Sequence, residues 1–396
     1  MNRDELTAWL RLLLTPRIGP ATARQLLATF GLPQRVFEAA AQELPLTPRQ
    51  AQALRDPPAG LADLVATTEA WLADGRTDTG VSRRLVTLAD PDYPPALLQA
   101  PDPPLVLHVM GAPLARGPID WPTQALAMVG SRNPTPQGAQ TARQFAHHIA
   151  GAGWTVISGL ALGIDGAAHE GALDGGRIDG AGPHGLAGPA AGTAWATVAV
   201  VGTGLDRVYP RRHLDLAHRI AAHGVLVSEH PLGTPPLRDH FPRRNRIIAA
   251  LSRGTLVVEA AVQSGSLITA HLAADLGREV FAIPGSIHAP QSRGCHALIR
   301  QGAQLVETAD EVLDALMPQR AAACTVTPPA AAPIAPPPGA DDPVLQALGH
   351  DPVGFDALSA RTGLPTAVLQ ARLLALELDG EVARLPGGVF QRLARA

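Results

Sequence analysis

Arg238, Arg243, Arg244 and Arg246 share nine positions with one acid, Asp239, giving a local charge of +3 around Phe241 and Asn245. Clustered guanidiniums beside an aromatic ring suit a single nucleic-acid strand. The cations take phosphates while the ring stacks on a base, worth roughly 1 to 3 kcal/mol per base. Arg244 and Arg246 alternate about Asn245, so these arginines cannot all face one way. The alternative use of the same segment is a helix start whose arginines form structural ion pairs.

Four further segments have the composition of turns between a strand and a helix. Gly130-Ser131-Arg132 follows an apolar run and precedes Pro136, where a helix N-terminus would offer amides and a positive dipole to an anion. Gly202-Thr203-Gly204 is a weaker signal of the same kind, lacking the third glycine of a dinucleotide turn. Ser264-Gly265-Ser266 adds hydroxyls and amides at another helix start. It is not a G-x-S-x-G nucleophile elbow, which argues against a serine hydrolase. Asp165 and His169 are one helical turn apart and share a face. Acid–base or metal chemistry is conceivable for that pair, but no third ligand is near in sequence, and a structural hydrogen bond is the expectation.

The elements that must position these turns follow from hydrophobic patterning. Apolar strands are expected at 125–129, 155–157, 198–201, 225–227, 255–258 and 280–283, alternating with helical stretches. That rhythm predicts a doubly wound, Rossmann-like parallel sheet with helices on both faces and ligands at the carboxyl ends of its strands. Residues 1–78 read as a helical unit in which Ile18-Gly19-Pro20 turns one helix into the next, a helix-hairpin-helix or SAM-like arrangement. The Rossmann-like domain spans 79–317, its first 40 or so residues a Pro-rich extension with a strand at 105–109. A Pro/Ala linker at 318–341 leads to a winged helix at 342–396, with helices over 343–348, 355–361 and 366–378 and a β-ribbon around Gly387-Gly388. The winged helix carries few basic residues, so protein contact and DNA contact are both open to it. Residues 174–194 read as a disordered surface loop.

Composition closes off several kinds of chemistry. All 32 basic residues are arginine, as a GC-rich genome would favour. Without lysine there is no Walker A loop and no Schiff base, so P-loop and pyridoxal chemistry are excluded. Cys295 and Cys324 are too few for a disulfide framework and lack metal-ligand spacing, and no apolar run is long enough to span a bilayer. A cytoplasmic protein without cofactor or metal is the expectation. A net charge of -3 gives no global nucleic-acid signature, so DNA binding would rest on the local clusters.

The order of these motifs resembles one family. Gly-Ser-Arg at 130–132 is followed by Ser158-Gly159 through Gly163-Ile164-Asp165 to His169, then Gly202-Thr203-Gly204-Leu205-Asp206. Phe241-Pro242 with Arg244-Asn245-Arg246-Ile247-Ile248, Ser264-Gly265-Ser266-Leu267-Ile268-Thr269-Ala270, Pro284-Gly285-Ser286 and Gly294-Cys295-His296 complete the series. The chain closely resembles DNA-processing protein A (DprA, or Smf). The resemblance implies a homodimer that binds single-stranded DNA, protects it and loads the recombinase RecA onto it in natural transformation. It implies no catalytic residue. Its DNA contacts would fall on Arg132, Arg238, Phe241 and Arg244 to Arg246, with the Ser264–Ser266 turn beside them. The full candidate set from residues and resemblance together is Gly130, Ser131, Arg132, Gly202, Arg238, Phe241, Arg243, Arg244, Asn245, Arg246, Ser264, Gly265 and Ser266. Two departures stand out: Ala250 where many members have glycine, and the 174–194 segment, which looks inserted.

Two other classes compete. A Rossmann-like nucleotide phosphoribohydrolase shares such a sheet, but its Pro-Gly-Gly-x-Gly-Thr stretch is absent here. A sequence-specific regulator acting through the winged helix conflicts with that domain's low basic charge.

Overall fold

The computed structural model describes residues 1–74, 80–115, 117–176, 195–317, 342–349, 351–385 and 387–393. The expected linker and most of the 174–194 loop lie outside these residues. Residues 174–176 end and cap the helix Ile164–Gly175.

Five helices open the chain: Arg3–Leu14, Pro20–Phe30, Pro33–Glu38, Pro48–Arg55 and Leu61–Asp74. Local chemistry sets their starts. Asn2 and Glu5 form a reciprocal capping box on the first, Thr47 and Gln50 another on the fourth, and three helices place proline in the first turn, where its missing N–H costs nothing. Their apolar faces, Leu10 and Leu26 among them, share a core with Leu85 and Val106 of the next unit. The helical unit therefore packs directly onto the edge of the sheet.

That sheet has nine strands: β1 Ser82–Thr87, β2 Val106–Gly111, β3 Ala125–Val129, β4 Thr155–Ser158, β5 Thr197–Val200, β6 Val225–Ser228, β7 Gly254–Val257, β8 Glu279–Ala282 and β9 Gln304–Leu305. The order across it is β1-β2-β6-β5-β4-β3-β7-β8-β9. From β6 to β9 all pairings are parallel, as the alternation predicts. The extension differs from its sequence reading. It joins the sheet as two antiparallel strands, β1 on β2 and β2 on β6. Arg83 and Arg84 in β1 hid that strand, because two adjacent arginines break the apolar signature of a buried strand.

Topology dictates where a ligand can sit. After β3 the chain builds β4, β5 and β6 on one side, then crosses to β7 on the other. The loops after β3 and β7 diverge there and leave a crevice at their carboxyl ends. Helices cover both sheet faces. Val129, Ile157, Val200 and Val257 pack beneath the helix His240–Ala250, while Leu126, Met128 and Phe281 pack under the opposite helices.

The last unit has helices Pro343–Leu348, Phe355–Thr362 and Thr366–Leu378 with a three-stranded sheet of β10 Val353–Gly354, β11 Val382–Leu385 and β12 Val389–Arg392 in the order β10-β12-β11. Leu345, Leu358, Leu373 and Phe390 form its core. This is a winged helix, as expected. Among the described residues no helix is long and apolar enough to cross a membrane.

Candidate nucleic-acid interface

A cleft of about 690 Å³ opens at the topological switch point. Its walls bring together Gly130, Ser131 and Arg132 after β3, Arg238, Phe241, Arg244 and Asn245 around the start of the helix His240–Ala250, and Ser264, Gly265 and Ser266 after β7. Ten of the thirteen expected residues thus converge from three separate stretches of chain. The cleft also takes in Asp165, Tyr209 and Gln263.

Phe241 is the centre of the basic wall. The Arg132 guanidinium lies 5.4 Å from its ring centroid, and the Tyr209 ring lies 5.6 Å away at 38°. Phe241 is half-buried and Tyr209 is exposed, so a ring-bearing ligand can extend the stack. Arg132 and Arg238 are exposed and form no ion pair among the described residues, leaving two guanidiniums available to anions.

Arg244 behaves otherwise. Its side chain is buried and donates to the carbonyls of Gly159 and Val200 and, at 2.9 Å, to Asn245 Oδ1. Asp165 lies 3.8 Å from the guanidinium and accepts from the amides of Gly159 and Ala161 at 3.1 and 3.3 Å. Burial lowers the Arg244 pKa to about 10, leaving it charged at neutral pH, and burial raises that of Asp165 against the pull of Arg244. Arg244 is a bolt through the floor, tying the loops after β4 and β5 to the cleft helix. Arg244 thus reaches the cleft only as part of its floor, whereas Arg132 and Arg238 are exposed at its wall.

Three expected residues are not in the cleft wall. Arg246 faces the other way along the helix, where it pairs with Glu229 and, at 3.0 Å, with Asp102. Asp102 also meets Arg24 of the N-terminal helices at 2.5 Å. The chain Arg24–Asp102–Arg246–Glu229 therefore ties the helical unit to the cleft helix. Arg243 is exposed outside the wall, and Gly202 is buried behind Phe241. Helix geometry separates Arg243 and Arg246 from the cleft-lining residues of the same helix, since 100° per residue sends neighbours in a cluster to different faces.

The anion site expected from the helix Pro136–Gly151 is already filled from within. Thr135 caps its start, and the Glu259 carboxylate accepts from the Thr135 amide at 3.0 Å and hydroxyl at 2.5 Å. A Cβ on Gly138 would lie 2.3 Å from Glu259 Cδ, so only glycine admits that carboxylate over the first turn. Glu259 directly follows the strand expected at 255–258 and is not among the expected site residues. The signal for its role is the pairing of Thr135, proline and Gly138 at the far turn, which makes a helix start shaped for an acid. Gly163 performs a similar service. Its φ of +82° and the closeness of the Ser131 carbonyl, 2.3 Å from where a Cβ would be, let the β4 loop close against the Ser131 turn.

His169 is buried beneath this loop, with Nδ1 2.7 Å from Thr197 Oγ1 and Nε2 accepting from the Leu160 amide at 3.3 Å. Burial depresses its pKa to about 3. The Asp165/His169 pair is structural, as expected. The Ser264 and Ser266 hydroxyls bond each other at 2.6 Å, and Asn245 Nδ2 donates to the Gly265 carbonyl at 3.3 Å. That turn is held against the cleft helix.

The fold and site define a class: a Rossmann-like sheet with an arginine- and aromatic-lined crevice at its switch point, extended by a helical hairpin unit and a winged helix. Residues 84–317 match the model of the DNA recombination-mediator protein A family, residues 3–63 that of the DprA-like N-terminal HHH domain, and residues 328–388 that of the DprA winged helix domain. The chain belongs to the DNA recombination-mediator protein A (DprA/Smf) family, whose members are DNA-processing proteins. It is 41% identical over 311 residues to Protein Smf of Escherichia coli, covering 77% of this chain and 76% of that one. It is 39% identical over 237 residues to the DNA processing protein DprA of Bacillus subtilis, covering 59% and 71%. The X-ray structure of DprA from Streptococcus pneumoniae superposes with a TM-score of 0.56 at 31% identity, covering 79% of this chain and 98% of that one.

Proposed function

We propose that the cleft holds single-stranded DNA, with phosphates on Arg132 and Arg238 and a base stacked on the Phe241–Tyr209 pair. The observation that carries this is the Arg132–Phe241–Tyr209 stack at the switch point, where Arg132 and Arg238 form no ion pair among the described residues. A duplex keeps its bases stacked on one another and offers the rings no free face. In keeping with the family resemblance, the bound strand is protected and passed to the recombinase RecA by a homodimer in the cytoplasm, in natural transformation. The domain division at 78/79 and 317/318 with a linker to 341 is part of this reading; the matched segments 3–63 and 84–317 fall within its first two units, while the third, 328–388, begins inside the proposed linker.

The reading is of a binder without turnover. The polar groups that an enzyme would recruit are committed to the fold: Glu259 to Thr135, Asp165 to two amides, His169 to Thr197 and Leu160. Gel shifts of single-stranded and duplex DNA of equal length across a salt series test the proposal. Preference for the single strand, with log affinity falling linearly with log salt, is expected. Equal affinity for the two forms defeats it.

A further inference from the structure

A second cavity, of about 510 Å³, lies under the other end of the cleft helix, at the amino ends of the strands. Its floor is the sheet face at Ile157 and Val198, and its sides are Tyr93, Trp121 and the rings of Pro94 and Pro122. Tyr93 spends its hydroxyl on the Pro104 carbonyl at 2.7 Å and Trp121 its indole N–H on the Asp92 carbonyl at 2.7 Å, so the walls are apolar faces with their polar atoms satisfied. The rim is different. Arg253 and Arg278 line it, both half-buried, and neither forms an ion pair among the described residues, although Arg253 donates its Nε to the Thr123 carbonyl at 2.7 Å and lies 5.9 Å from the Trp154 ring. The Nε of Arg278 is buried without a hydrogen-bond partner. Asp120, on the same rim, is exposed.

A buried donor without a partner is costly, and guanidiniums at the mouth of an apolar slot provide a fixed place for an anion. The size and mostly apolar lining are those of a small-molecule site. The helix His240–Ala250 has the DNA cleft at its start and Ala250 in the wall of this cavity, so the two sites are separated by the helix and the sheet beneath it.

We propose that this cavity is a second ligand site for a flat ring carrying a phosphate, the size of a nucleoside monophosphate, with the ring between the Trp121, Tyr93 and proline faces and the phosphate on Arg278 and Arg253. It stands independently of the DNA-binding reading, since none of its groups belongs to the cleft.

Calorimetric titration of the full chain with deoxyadenosine monophosphate tests it, alongside three variants checked for folding by thermal melting. Wild type is expected to show saturable 1:1 binding, and Arg132→Glu, altered only in the cleft, the same affinity. Arg278→Met should weaken binding at least tenfold. Ala96→Trp, at the half-buried rim, should abolish it, and unphosphorylated deoxyadenosine should bind at least tenfold more weakly than the nucleotide. Absence of saturable binding to wild type overturns the proposal. So does loss of binding in Arg132→Glu with retention in Arg278→Met and Ala96→Trp, which would place the nucleotide in the DNA cleft.

Discussion

Arginines from one short cluster have different fates, and salt dependence separates them. Each guanidinium that neutralises a phosphate on a single strand contributes about 0.7 to the slope of log affinity against log salt. Arg132→Ala and Arg238→Ala are each expected to lower the slope by about that amount, whereas Arg246→Ala leaves it unchanged, because Arg246 is spent on Glu229 and Asp102. Fluorescence anisotropy with labelled oligothymidine over a sodium chloride series measures all three. Arg244→Met should cost about 3 to 5 kcal/mol of stability by leaving Asp165 buried without its cation. A melt of that variant at the wild-type temperature would mean that Arg244 does not hold the cleft floor together. Phe241→Trp, which keeps a stacking face, should bind close to wild type, while Phe241→Leu loses about 1 to 3 kcal/mol of affinity with its melting temperature retained.

Among the elements, the cleft helix is the one on which most depends. It is bolted to the sheet by Arg244 and to the N-terminal helices through Asp102, which bridges Arg24 and Arg246. Asp102→Ala removes the carboxylate that separates two guanidiniums and leaves them facing each other. The expected outcome is a lower melting temperature with an unchanged salt slope, read by melting and anisotropy on the same samples. A reduced slope would mean that Asp102 and Arg246 act on the strand itself. The helix Thr366–Leu378 of the winged helix shows a contrasting economy. Val368, Leu374 and Leu378 are exposed, and its one arginine, Arg372, pairs with Asp342. A chain ending at residue 317 should therefore bind oligothymidine within about twofold of the full chain, a comparison the same anisotropy assay makes.

At the scale of the whole molecule, buried histidines set the response to acid. His108 on β2 is fully buried against Trp71, and burial lowers its pKa to about 4 from the ordinary 6.5. The folded state keeps this ring neutral while the unfolded chain takes up a proton below pH 6.5. Stability attributable to it is thus complete above pH 6.5 and declines as pH falls towards 4, by on the order of 3 kcal/mol. Burial raises the carboxyl pKa values of Asp165, Glu229 and Glu259, which acts in the opposite sense, so the contribution is best read as a difference. Denaturant melts of wild type and His108→Leu should differ by a constant amount from pH 7 to 8. The gap should then move in favour of the variant between pH 6.5 and 4. A gap that stays constant to pH 4 would mean that His108 takes up its proton in the folded state.

Repetition made the architecture readable in the sequence. Apolar runs alternating with helical stretches imply a parallel sheet, and glycine- and serine-rich turns at strand ends mark its ligand edge, because strand and helix periodicity is a local property of the chain. The identity of the turns was legible for the same reason, and Gly130–Arg132, Phe241 and Ser264–Ser266 do meet in one cleft. The direction in which each arginine points was not, since that depends on which carbonyls and carboxylates the fold brings near. Arg244 finds Gly159 and Val200, 85 and 44 residues away, and Arg246 finds Asp102. Nor could the sequence reveal that Glu259, 124 residues from Thr135, occupies the helix start that looked open to phosphate. Local patterning determined which elements form and in what order. Tertiary packing decided which charges they neutralise internally and which remain for a ligand, because a buried charge must find its partner wherever the chain places it.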